Sequence, residues 1–191
     1  MNRRKALARI SIGGISSFAL IGGLKLYYNN RNYPISRLKE HKELISILTD
    51  LIIPRTDTPG AKDANVGETL IKIMENCTDS RTQQTFINGL FDLENATKSS
   101  YGIDFRDCNK NIQIGILQEI EQKEYVKNKL IAKIKNKLLG KGFFSILKEL
   151  TVECFFTSEI GAMQALQYDY IPGQYIGCTN IQENQKSWAT H

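Results

Sequence analysis

Leu38-Lys-Glu-His-Lys-Glu-Leu44-Ile45-Ser-Ile-Leu48-Thr-Asp-Leu51-Ile52-Ile53-Pro54 is the stretch that decides the fold. Its apolar residues Leu38, Leu44, Ile45, Leu48, Leu51 and Ile52 recur mostly at three- and four-residue steps, which puts them on one stripe of a helix. Pro54 then disfavours the helical state at Ile53, so the helix stops there. The same period continues downstream. Val66, Leu70, Ile73, Met74 and Cys77 make a second stripe, and Phe86, Leu90 and Leu93 a third, with Asp79 or Ser80 placed to cap it. A loop around Tyr101 to Asp107 leads to Ile112, Ile116, Leu117 and Ile120. Leu130, Ile131, Ile134 and Leu138 form the next stripe, closed by Gly140-Lys-Gly142. A last long helix is expected from about Phe143 to Leu166, carrying Ile146, Leu147, Leu150, Cys154 and Phe155.

No segment alternates in the strand manner over any length, and there is no internal repeat. The expected fold is all-α: a single-domain bundle of five to seven helices covering residues 34–191. Its final stretch, 167–191, departs from the helical period and holds Tyr168, Tyr170, Pro172, Gly173, Tyr175, Gly177, Cys178 and Trp188. A plain surface coil has no need of so many rings. They imply a tail pinned to a surface, either the chain's own or a partner's.

Residues 1–33 read differently. Arg3, Arg4, Lys5 and Arg9 precede a modest apolar run from Ile10 to Leu24, diluted by glycine and serine. This is the layout of an export leader, and the Arg3-Arg4 pair followed by Leu7 resembles a twin-arginine signal. Asn2 and Ala6 depart from the usual pattern around the pair. No good small-residue cleavage site follows, so a cut leader and a retained anchor both remain open.

Composition narrows the function. The chain has 191 residues, 41% of them hydrophobic and 24% charged, with a formal net charge of +5. That is globular rather than disordered. Its dense basic patch, Lys127 to Lys141, scatters around a helix axis and contains no aromatic stacking platform, so nucleic acid is not expected as a partner. With two histidines, four cysteines in no Cys-x-x-Cys pair, and neither a phosphate loop nor a Gly-x-Ser-x-Gly elbow, no catalytic, cofactor-binding or metal residue is assigned.

Two segments stand out from this background. Ile52-Ile-Pro-Arg-Thr-Asp-Thr-Pro-Gly-Ala-Lys62 joins a helix end to a polar turn. Phe156-Thr-Ser-Glu-Ile-Gly-Ala162 is followed by Tyr168-Asp-Tyr-Ile-Pro-Gly-Gln-Tyr-Ile-Gly-Cys178. Together, in this order, they resemble the gluconate 2-dehydrogenase subunit 3 family over roughly Leu38 to Trp188. That resemblance implies a cofactor-free small subunit that binds, stabilises and co-exports a large subunit. The large subunit would be a flavoprotein dehydrogenase of the glucose–methanol–choline type, carrying FAD and oxidising a sugar or sugar acid. It further implies a cytochrome c as electron acceptor, the twin-arginine machinery as a partner, and the periplasm as the location. The competing reading is a stand-alone small periplasmic enzyme acting on a sugar.

The motif residues have a physical reading of their own. Pro54 stops a helix, Thr56, Asp57 and Thr58 can satisfy free backbone groups, and Pro59-Gly60 suits a tight turn. These six are expected to shape a loop or face a partner rather than to catalyse, because no histidine base is nearby in sequence. Ser158 and Glu159 are read the same way, with Glu159 held by hydrogen bonds within the last helix. Tyr168, Pro172, Gly173 and Tyr175 form the candidate anchors in the tail. Cys178 closes the tail motif, and Cys77 is its expected disulfide partner, while Cys108 and Cys154 are expected as buried thiols.

Overall fold

The structure is a computed structural model describing residues 33–125, 140–171, 173–174, 177–178, 180–181 and 183–189. Two expected features lie outside these residues: the Arg3-Arg4 leader and the stripe from Leu130 to Leu138. From Ile35 onward the described chain forms five α-helices: α1 (Lys42–Ile52), α2 (Val66–Asn76), α3 (Ser80–Tyr101), α4 (Lys110–Glu124) and α5 (Phe143–Phe156). A 3-10 helix, Ile35–His41, leads into α1, and a single 3-10 turn, Phe105–Asp107, precedes α4. No strand occurs among the described residues, which agrees with the helical period.

Each helix begins and ends where local chemistry requires it. Ile53 leaves α1 at φ −125°, ψ 82°, as a residue ahead of proline must. The Asp79 carboxylate accepts the Arg81 and Thr82 backbone N–H groups at 3.0 and 3.1 Å, filling two of the unsatisfied donors at the start of α3. Gly102, at φ +73°, closes α3 in the left-handed conformation. The start of α5 is capped from a distance. Glu124, the last residue of α4, accepts the Phe144 N–H at 2.9 Å and the Ser145 N–H at 3.2 Å, and also the Ser145 hydroxyl at 3.0 Å. A carboxylate suits the positive end of a helix dipole.

Helix α5 packs against all four of the others and forms the hub of the bundle. Its Ile146, Leu147, Cys154 and Phe155 are buried, as are Leu44, Ile45 and Leu48 of α1, Leu70 and Met74 of α2, and Phe86 and Leu90 of α3, the helices it packs on. Removing a leucine or phenylalanine side chain from water contributes roughly 2–3 kcal/mol. Gly89 of α3 is needed for this packing, because a Cβ there would run into the Phe143 ring. The buried hydroxyls do not disturb the core. Those of Thr97 and Thr151 donate to the carbonyls of Leu93 and Leu147, each at 2.7 Å, and that of Thr49 to Ser46 O at 3.0 Å.

Three expectations need correction. The last helix stops at Phe156, ten residues short of Leu166. The chain turns at Thr157-Ser158 and continues as a short segment with a π-helical turn, Gly161–Ala165, and glycine at 161 permits the break, because a Cβ there would overlap the Phe155 carbonyl. Cys77 is exposed just beyond α2 rather than part of its buried stripe. On α4, Leu117 is buried, whereas Ile112, Ile116 and Ile120 are half-buried.

Candidate functional site

The Pro54–Ala61 loop is a closed unit. Its two ends are tied by the Ala61 N–H donating to Ile53 O at 2.8 Å. Gly60 is buried against the backbone of Pro54 and Arg55, where a Cβ would sit 2.6 Å from Arg55 N. Within the loop the Thr56 hydroxyl donates to Asp57 Oδ1 at 2.9 Å, and the Thr56 N–H donates to Thr58 O at 3.0 Å. The Thr56 hydroxyl beside Asp57 is the first cause that holds this carboxyl below the ordinary carboxylate value; backbone N–H groups and the Lys186 charge add to it. Asp57 is exposed, and one of its carboxylate oxygens accepts a hydrogen bond from its own loop.

Asp63 is the residue here that sequence reasoning missed. One of its carboxylate oxygens accepts the Gly60 N–H at 2.9 Å, and the other lies 3.3 Å from Arg55 Nη1. It therefore clamps both sides of the Pro59-Gly60 turn. The signal was present in the sequence: an aspartate three residues past a turn glycine, in reach of an unsatisfied N–H.

The second motif is organised by Ser158. Its hydroxyl donates to Phe155 O at 2.6 Å and accepts the Gly161 N–H at 3.0 Å, which bridges the break after α5. Glu159, expected to be held within the last helix, is instead exposed to solvent.

The tail folds back on this segment. Gln167 pairs with Trp188 in a parallel bridge: the Gln167 N–H donates to Ser187 O at 2.8 Å, and the Ala189 N–H donates to Gln167 O at 2.9 Å. Lys186 Nζ reaches Gln164 O at 2.6 Å. Its charge also acts on Asp57, which relates the tail to the Pro54–Ala61 loop. The rings of Tyr168 and Tyr170 meet edge to face, 6.5 Å apart, and both remain exposed. Gly173 is exposed in open space; Pro172 and Tyr175 lie outside the described residues.

All four cysteines are free thiols, Cys77 and Cys178 exposed, Cys108 and Cys154 buried. Cys77 and Cys178, the expected disulfide pair, thus share an exposed setting. Burial pushes the Cys154 thiol up to about 11.

Among the described residues, no three histidine, cysteine or acidic side chains are grouped to hold a metal ion. Nor is any helix among them long and apolar enough to cross a membrane. The motif side chains are engaged in shaping backbone, and what they leave facing outward is a surface rather than a pocket. A family model described as gluconate 2-dehydrogenase subunit 3 matches residues 39–173. The match takes in the Pro54–Ala61 loop and the Ser158 turn and ends at Gly173, short of Cys178. No curated protein and no solved structure matches the chain.

Proposed function

The chain belongs to the gluconate 2-dehydrogenase subunit 3 family, and from that premise we propose that it is the non-catalytic small subunit of a dehydrogenase complex, which binds, stabilises and co-exports the large subunit. The family name denotes a subunit, so the large chain of the complex supplies the chemistry. In this reading the large subunit is a flavoprotein of the glucose–methanol–choline type, and its FAD oxidises a sugar or sugar acid. Electrons pass to an acceptor such as a cytochrome c, and the assembled complex works in the periplasm. Arg3 and Arg4 address the pair to the twin-arginine machinery.

The observation that carries the proposal is the match over 39–173 together with the state of the motif side chains. Asp57 and Ser158, the most reactive-looking groups in the two motifs, each make hydrogen bonds inside their own turns, Asp57 through Oδ1 and Ser158 through its hydroxyl. A general base needs its lone pair directed at a substrate. These turns hold backbone shape, which is what a docking subunit requires.

The deciding experiment is co-expression with the large subunit, followed by cell fractionation. The large subunit should reach the periplasm in active form only when this chain is present with Arg3 and Arg4 intact. Purified chain alone should leave sugars unoxidised with an artificial acceptor. Export of active large subunit without this chain would refute the escort role, and turnover by the lone chain would favour a stand-alone enzyme.

A further inference from the structure

Large apolar side chains on the surface are unevenly placed. Among the described residues, eleven such side chains are exposed, and eight of them lie between Val152 and Trp188. Val152 and Phe156 sit one helical turn apart on the outer face of α5, each 39% exposed, where solvent should favour polar groups. Met163 follows at 54%, beyond the break. The Gln167–Trp188 bridge then brings Trp188 back beside the segment that carries Tyr168 and Tyr170. Exposed aromatic and methionine side chains held by backbone pairing are the usual anchors of a protein interface.

The charge around this face is opposite to that of the chain. The formal net charge of the whole is +5, yet from Glu149 to Trp188 there are five carboxylates and one ammonium. Glu149 is paired with Lys141, and Lys186 is turned onto Gln164 O. Glu153, Glu159 and Asp169 make no ion pair among the described residues and are exposed. Glu153 lies beside Val152 on the outer face of α5, Glu159 falls between Phe156 and Met163, and Asp169 separates the two tyrosines. The exposed apolar side chains from Val152 to Tyr170 thus have unpaired carboxylates as chain neighbours, an acidic rim by sequence position.

We infer that this face, centred on Val152, Phe156, Met163, Tyr168, Tyr170 and Trp188, docks the large subunit through an apolar patch edged with arginine or lysine. This deepens the subunit reading and rests on it. The rim decides among the possible occupants. A second copy seated face to face would set acid against acid. An anionic membrane surface would be repelled by the same carboxylates. A basic-rimmed apolar patch satisfies both the exposed rings and the unpaired charges.

The test measures binding of the full chain to purified large subunit at low and high salt, with light scattering on the chain alone. Three variants are compared: Glu153→Lys with Glu159→Lys and Asp169→Lys; Val152→Ser with Phe156→Ser; and, as a control remote in sequence, Tyr101→Ser with Ile103→Ser. The charge reversal should weaken low-salt binding about tenfold or more and invert the salt dependence, so that added salt now strengthens binding. The apolar pair should weaken binding by about tenfold at either salt. The control should bind as wild type does. Should the apolar pair melt early, the reversal decides alone, since its three side chains are exposed. Wild-type binding by the reversed variant, or loss of binding in the control alone, overturns the location and leaves the subunit reading standing. A dimer of the lone chain that dissociates on truncating Val152 and Phe156 also overturns it. Failure of the wild-type chain to bind the large subunit removes the subunit reading and this inference together.

Discussion

Two kinds of residue in this chain behave differently from what their type suggests. The four cysteines separate by position. Cys77 and Cys178 are exposed, whereas Cys108 and Cys154 are buried. Native protein treated with a thiol reagent should label at Cys77 and Cys178 and spare Cys154 until denaturant is added, as read by peptide mass mapping. Burial raises the Cys154 thiol from its ordinary 9.0 to about 11. Its contribution to stability is therefore full below pH 9 and fades as the pH climbs toward 11, because the unfolded chain ionises first. Alkaline melting curves of Cys154→Ala should fall less steeply than those of wild type. Glycine is the other case. Gly89→Ala would drive a methyl into the Phe143 ring, and unfolding in urea should register a loss of about 1–3 kcal/mol, as overpacked cores do.

At the scale of elements, α3 depends on a single carboxylate. The Thr82 hydroxyl, then the backbone N–H groups of Thr82 and Arg81, hold Asp79 below its ordinary 3.8. Asp79→Ala should cost about 1 kcal/mol at neutral pH, measured by chemical denaturation. The stabilisation is present above 3.8 and disappears as pH falls through the lowered value, so the gap between variant and wild type should close in acid. This cap was legible in the sequence because Asp79 sits immediately before the third apolar stripe, and α1 was legible because Pro54 stops it. Both signals act within a few residues. The break after Phe156 was not read, although Ser158 ahead of Glu159-Ile160 is an N-cap pattern. What permits it is the close approach of Gly161 to the Phe155 carbonyl, a spacing that apolar periodicity does not encode. Likewise Pro54, Asp57 and Gly60 could be picked out as loop formers, and Asp63 stood three residues past the turn glycine, but its pairing with Arg55 exists only once the loop has closed.

For the molecule as a whole, the core draws on every helix, whereas the outward face is confined to α5 and the stretch after it. No described residue after Gly161 is buried, so the described part of the tail adds little to the bundle. A chain ending at Leu166 should melt within about 1 kcal/mol of the full chain, as surface changes do. The same truncation should abolish capture of the large subunit, which a pull-down would read. Stability and assembly would then separate along the sequence. Glu124 makes a similar separation elsewhere. It sits at the end of α4 and grips the start of α5 twenty residues later, so the chain between them is held together at its two ends. The entropy of closing such a loop grows only slowly with length. Insertions placed directly after Tyr125, which is exposed, should therefore leave Glu124 seated on the start of α5, and a fluorescent or affinity module grafted there would report on the complex from a point remote in sequence from the acidic-rimmed face.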